Sequence, residues 1–389
     1  MREKMIRRGA AFALAAALAW GAAAPAWAQE SRFGQPEFDV PCKAAVLMEQ
    51  NSGTVLYAKN PDIQVPEASI TKVMTLLLTF EALDAGKVHK EDMVPVSEHS
   101  YSMGGSQIWL EPGEEFTLDE MLRAICVSSA NDAAVAVAEY IGGSESVFVE
   151  QMNQRAAQLG MNNTHYVNAC GLDAPGHVSS ARDVAILSRE MLTKHPQITE
   201  YTTIWTDALR GGQTQLVNTN KLLRRYNGIT GLKTGTTGGA GVCITASATR
   251  DGLSLIAVVL GAASSAERFA AAQSLLDYGF ANFENGQITA PENAPAALPV
   301  AGGEKTGAEL DYGLPAPLLL KKGEAESLQT ELSLPEKLQA PLQKGQSVGV
   351  VTVKSGESVL AEVPVYAAEE VKSLTVGSAW KKILQGMTA

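Results

Sequence analysis

Residues 67–86 read EASITKVMTLLLTFEALDAG. Ile70, Val73, Met74, Leu76, Leu77, Leu78 and Phe80 are apolar nearly all round a helix, so this helix has little polar face to offer solvent and belongs at the centre of the molecule. Gly86 supplies a stop. Working outward, residues 41–59 (PCKAAVLMEQNSGTVLYAK) predict two strands around a turn at Asn51-Ser52-Gly53. On the other side, Thr117-Leu118-Asp119-Glu120 is a capping-box pattern that opens a helix towards Cys126. A polar break follows, Ser128-Ser129-Ala130-Asn131-Asp132, and then helices over about 133–142, 148–159 and 182–192. After these the pattern changes. Residues 242–248 and 253–260 read as strands across a turn at Asp251-Gly252, and 268–280 reads as a helix. Strands first, helices in the middle, then strands and a helix predict an α+β fold: a sandwich whose one sheet is built from both chain ends, beside a mostly helical lobe.

The flanks differ in composition. The first 28 residues hold Arg2, Lys4, Arg7 and Arg8 against Glu3, a net of +3, so the remainder carries −14 where the whole chain carries −11. With an apolar run over 10–24 and Ala26-Trp27-Ala28 as a cleavage site, residues 1–28 predict a secretory signal and an exported, extracytoplasmic protein. The acidic balance argues against a nucleic-acid partner. Residues 29–286 form the main domain. From 287, ITAPENAPAALPVAGG reads as a Pro/Ala-rich connector, and 287–370 as a small all-β domain. In the tail, 371–389, Trp380, Ile383, Leu384 and Met387 make a short amphipathic stripe. It could lie weakly on the outer face of a membrane, or dock on its own protein. Of the four cysteines, Cys42 and Cys243 lie in apolar runs. Cys126 and Cys170 each flank a polar segment, which leaves a bridge between them open.

Three short motifs carry chemistry. Ser69-Ile70-Thr71-Lys72 opens the central helix, and positions i and i+3 share a face, so the Lys72 amine can take the proton of the Ser69 hydroxyl. Burial would lower the pKa of that amine. Ser129-Ala130-Asn131 sits in the polar break, where a hydroxyl could relay a proton and an amide could hold a peptide carbonyl. Alone it reads more readily as helix capping. Lys233-Thr234-Gly235, standing before a strand and followed by Thr236, can bind a carboxylate, with glycine allowing close backbone approach. Decoys exist at Ser378-Ala379-Trp380-Lys381 and Lys305-Thr306-Gly307. The first lies in the tail and the second reads as a linker turn with no strand after it.

The ordered trio of motifs closely resembles that of the low-molecular-mass penicillin-binding proteins of the D-alanyl-D-alanine carboxypeptidase family. The segments EASITKVMT, SSANDAAVAVAEYIGGS, CGLDAPGH and GLKTGTTGGAGVCITASATR share that character, as does APLQKGQSVGVV in the second domain. The resemblance implies a β-lactamase/transpeptidase-like sandwich and a serine peptidase that removes the terminal D-Ala from peptidoglycan stem pentapeptides. It casts Ser69 as acylated nucleophile, Lys72 as base and Ser129 as catalytic. Asn131, Lys233, Thr234, Gly235, Thr236 and Arg268 then bind substrate, and the backbone N–H groups of Ser69 and Thr236 form the oxyanion hole. It implies β-lactams as inhibitors, and no metal or cofactor. Thr236 stands where some members carry histidine. Two other readings fit the motifs: a serine β-lactamase, for which Glu150 and Asn153 are the residues to inspect, and a non-catalytic penicillin-binding wall protein.

Overall fold

A computed structural model describes residues 32–314 and 317–380. The signal reading of residues 1–28 and most of the tail stripe lie outside these.

The main sheet has five strands: β1 (Ala44–Glu49), β2 (Val55–Lys59), β3 (Ile229–Thr237), β4 (Gly241–Arg250) and β5 (Leu253–Ala262). Their spatial order is β2-β1-β5-β4-β3, all antiparallel, so both ends of the chain contribute and β3 is an edge. Alternation sorts its side chains to two faces. Ala45 and Leu47 of β1, with Leu255, Ala257 and Val259 of β5, pack with one helix, α5 (Ser265–Asn282). Val46 and Met48, with Ile256, Val258 and Leu260, face the helical lobe. At the centre of that lobe runs α1 (Lys72–Asp84). Val73, Met74, Leu76, Leu77 and Phe80 are buried on all its sides, as the absence of a polar face requires. Around it stand α2 (Asn131–Gly142), α3 (Glu145–Leu159) and α4 (Ala181–Lys194). The capping box is formed, with Thr117 and Glu120 each satisfying the other's backbone N–H.

The second domain holds a six-stranded sheet: β6 (Ala297–Ala301), β7 (Gly307–Asp311), β8 (Leu328–Ser333), β9 (Leu338–Gln339), β10 (Ser347–Ser355) and β11 (Ser358–Ala367). Its order is β8-β10-β11-β7-β6-β9. Two expectations are corrected here. Part of the connector is strand β6, which buries Leu298 and Val300 between the outward Ala297 and Pro299. Lys305 and Thr306 of the decoy do lie in a turn, between β6 and β7, but Gly307 opens β7 and pairs with Pro299, so a strand follows after all. The join between domains is itself β-paired, Phe283–Gly286 against Leu318–Lys321, and Leu319 packs into the core beneath α5.

Candidate active site

Ser69 lies in a 3-10 turn, Ala68–Thr71, that runs directly into α1. Lys72, one helical step on, is fully buried, with Nζ 3.0 Å from Ser69 Oγ, 2.5 Å from Asn131 Oδ1 and 2.6 Å from the Cys170 carbonyl. Burial pushes this amine down to about 8, from an ordinary value above 10. The three contacts fit the three N–H donors of the ammonium, and they also fit the neutral form. An amine has two N–H donors and one lone pair; the two carbonyl-type oxygens take the donors and leave the lone pair for the Ser69 hydroxyl proton. In that neutral form the amine can accept the Ser69 proton.

Ser129 and Asn131 follow a π-helical turn, Ala124–Ser128, at whose end Ser129 adopts a left-handed conformation (φ 64°). The N-cap of α2 is Ala130, with no side-chain cap bond. The capping alternative therefore gives way. Ser129 Oγ accepts from Lys233 Nζ at 2.7 Å. Asn131 braces Lys72 with its oxygen, while its Nδ2 donates to the Gly104 carbonyl at 2.7 Å, leaving one amide hydrogen for a ligand.

Lys233, Thr234 and Gly235 lie within edge strand β3, whereas the sequence places them before a strand. Their polar side chains hide the alternation that marks a strand. Lys233 is buried and pushed well below its ordinary value by desolvation, then by Lys72 and Arg268 nearby. Thr234 Oγ1 donates to Thr219 Oγ1 at 2.6 Å. A Cβ at Gly235 would fall 2.9 Å from the Ser69 nitrogen and 2.9 Å from the Glu67 carbonyl, so only glycine lets the strand pass the Ser69 turn. Thr236 is exposed beside it. Arg268, near the start of α5, is buried; its Nη1 donates to the Gly235 and Cys243 carbonyls at 3.1 and 3.2 Å and lies 3.4 Å from Thr236 Oγ1.

The structure therefore brings Ser69, Lys72 and Asn131 into one hydrogen-bonded group and Ser129 and Lys233 into a second, close enough for Lys72 to lower the pKa of Lys233, with Gly235 against the Ser69 turn and Arg268 behind the strand. It adds groups that motif reading passes over: the Cys170 carbonyl, Thr219, and the loop at Gly104–Ser106, whose Ser106 carbonyl accepts from the Asn131 N–H at 2.7 Å. Buried Asp132 fixes that loop further on, accepting from the Ile108 and Leu110 N–H groups. Lys72 and Cys170 stand 98 residues apart, and Asn131 and Gly104 stand 27 apart, so neither pairing carries a local signal. All four cysteines are free, so Cys126 and Cys170 are not bridged. Glu150 is exposed on α3, and Asn153 is spent on the Val149 and Tyr166 carbonyls.

The chain matches the family described as D-alanyl-D-alanine carboxypeptidase over residues 29–264. Residues 283–373 match the C-terminal domain of penicillin-binding protein 5. It is 45% identical over 334 residues to the D-alanyl-D-alanine carboxypeptidase DacF of Bacillus subtilis, covering 85% of this chain and 86% of that one. The solved penicillin-binding protein 5 of Haemophilus influenzae superposes with a TM-score of 0.78 at 32% identity, over 87% of this chain and all of that one. Penicillin-binding protein D2 of Listeria monocytogenes, solved in a cefotaxime-bound form, gives a TM-score of 0.59 at 32% identity, over 63% of this chain and all of that one. The chain belongs to the D-alanyl-D-alanine carboxypeptidase family, within the low-molecular-mass penicillin-binding proteins, and is a peptidase.

Proposed function

We propose that this chain cleaves the terminal D-Ala from peptidoglycan stem pentapeptides through an acyl-enzyme on Ser69, and that β-lactams acylate the same oxygen. The observation that carries the reading is a pair of amine–hydroxyl contacts, with the two amines close enough to interact. A buried amine stands 3.0 Å from the Ser69 hydroxyl, and a second amine, on the open sheet edge, stands 2.7 Å from the Ser129 hydroxyl.

The substrate peptide lies along the edge of β3 as an added strand. Lys233 and Thr234 hold its terminal carboxylate, with Arg268 bracing the strand from behind. Neutral Lys72 takes the Ser69 proton as Oγ attacks the penultimate D-Ala carbonyl. The N–H groups of Ser69 and Thr236 hold the resulting oxyanion. The proton passes by way of Ser129 to the amine of the departing D-Ala. Water then attacks the acyl-enzyme, giving its proton to Lys72, and Ser69 leaves reprotonated.

The positively charged, apolar N-terminus supports export, and an extracytoplasmic site is where this substrate occurs. Exposed Val376 and Trp380 at the start of the tail support a weak peripheral membrane contact there. D-alanine release from a free pentapeptide stem tests the reaction: release is expected from the unmodified protein and absent in Ser69→Ala. Equal release from both would defeat the assignment.

A further inference from the structure

The turn that carries the nucleophile is held from beneath by groups that no step of the reaction touches. Ala68, just before Ser69, has φ +53°, a left-handed conformation that a residue with a side chain keeps only when its surroundings impose it. Thr71 supplies the restraint: its Oγ1 lies 2.9 Å from the Ala68 carbonyl and 3.2 Å from Glu67 Oε1. His177 decides how the hydroxyl points. The Val167 N–H donates to His177 Nδ1 at 3.1 Å, so the ring proton sits on Nε2, which donates to Thr71 Oγ1 at 2.7 Å. The hydroxyl's own proton then goes to the Ala68 carbonyl, the nearer of its two acceptors. Gly171 closes the other side, where a Cβ would fall 2.0 Å from that carbonyl oxygen. Burial pushes His177 down to about 4 and Glu67 up to about 8, so the cluster is uncharged near neutral pH.

A trans peptide unit is a rigid plate whose carbonyl and N–H point in opposite directions. We infer that the His177–Thr71 pair, by anchoring the Ala68 carbonyl, aims the Ser69 N–H at the reacting carbonyl, making Thr71 and His177 positioning residues for the oxyanion hole. This rests on the acylation of Ser69 proposed above. The segment CGLDAPGH thereby acquires a role, because its glycine and its histidine grip the nucleophile's turn from both sides.

Thr71→Val keeps the shape and removes the hydroxyl. Removing an oxyanion donor outright costs about 10²–10³ in kcat, and a donor left in place but misaimed loses part of that. The expected result is a kcat about tenfold lower with KM within about twofold, because the contact acts on the transition state. Penicillin acylation should slow by a similar factor, and a tetrahedral peptide boronic acid should bind about tenfold more weakly. Thr71→Ser should recover most of the loss. A Thr71→Val enzyme with unchanged kcat would overturn the inference, as would a serine variant as slow as the valine one. If Thr71→Val does not fold, His177→Phe, which keeps an aromatic ring against Tyr166, must lower kcat at unchanged KM; an unchanged kcat there overturns it equally. Failure of the underlying reading looks different, since the unmodified protein would then release no D-alanine at all.

Discussion

Lys72 must be neutral to act, and it is fully buried. This sets the pH dependence. With its amine held at about 8, Lys72 is neutral in about 1% of molecules at about pH 6, about 10% at about pH 7 and half at about pH 8. The sign follows from burial: desolvation penalises the ammonium, so the free base is available at lower pH than for an exposed lysine, and is lost as pH falls. The kcat/KM for D-alanine release should therefore rise about tenfold per pH unit up to about pH 8 and then flatten. Glu67 is also held near 8 by burial, so the limb needs an owner. Glu67→Gln should leave it in place. Lys72→Arg, always charged, should lose about 10²–10⁴ in acylation rate at every pH. The assay is a pH series of D-alanine release, repeated with penicillin acylation as a second readout. A flat profile between about pH 6 and 8, or a limb that vanishes in Glu67→Gln, would refute the assignment of Lys72 as base.

Three further outcomes are expected. Gly235→Ala places a methyl 2.9 Å from the Ser69 nitrogen against backbone that cannot step aside cheaply, so penicillin acylation should slow about 10²-fold or more; an unchanged rate would show that the strand does not close on the turn. Ser129→Ala should lower kcat about 10²-fold or more by removing the relay hydroxyl and a partner of Lys233, measured as D-alanine release beside an unchanged fold by circular dichroism. Glu67 binds its proton more tightly folded than unfolded, so the stability it confers is complete below its ordinary pKa and is lost as pH rises through about 8. Glu67→Gln should remove that slope, worth on the order of a few kcal/mol in denaturant melts between about pH 5 and pH 9.

What can be read from sequence divides by range. The central helix is legible because Val73 to Phe80 leave no polar face, and the Ser69–Lys72 pair because i and i+3 must meet on any helix. The strands β1, β4 and β5 are legible as apolar runs. Strand β3 is not, because Lys233, Thr234 and Thr236 are chosen for chemistry and break its alternation. Strand β6 hides in a run of Ala, Pro and Gly, where Leu298 and Val300 alone mark the inward face. Least legible are contacts across the fold. Nothing near Lys72 says that the Cys170 carbonyl will hold its amine, and nothing near Thr71 points to His177. Asn131 can be named from its motif, but its first role, bracing Lys72, comes only from the fold.

The proposed mechanism stands on acylation of the Ser69 oxygen. Incubating the protein with penicillin, digesting it and measuring peptide masses tests this without any assumption about the natural peptide. One covalent adduct is expected, on the peptide bearing Ser69 and missing after Ser69→Ala. An adduct on the tail copy at Ser378, or no adduct in a folded protein, would contradict it.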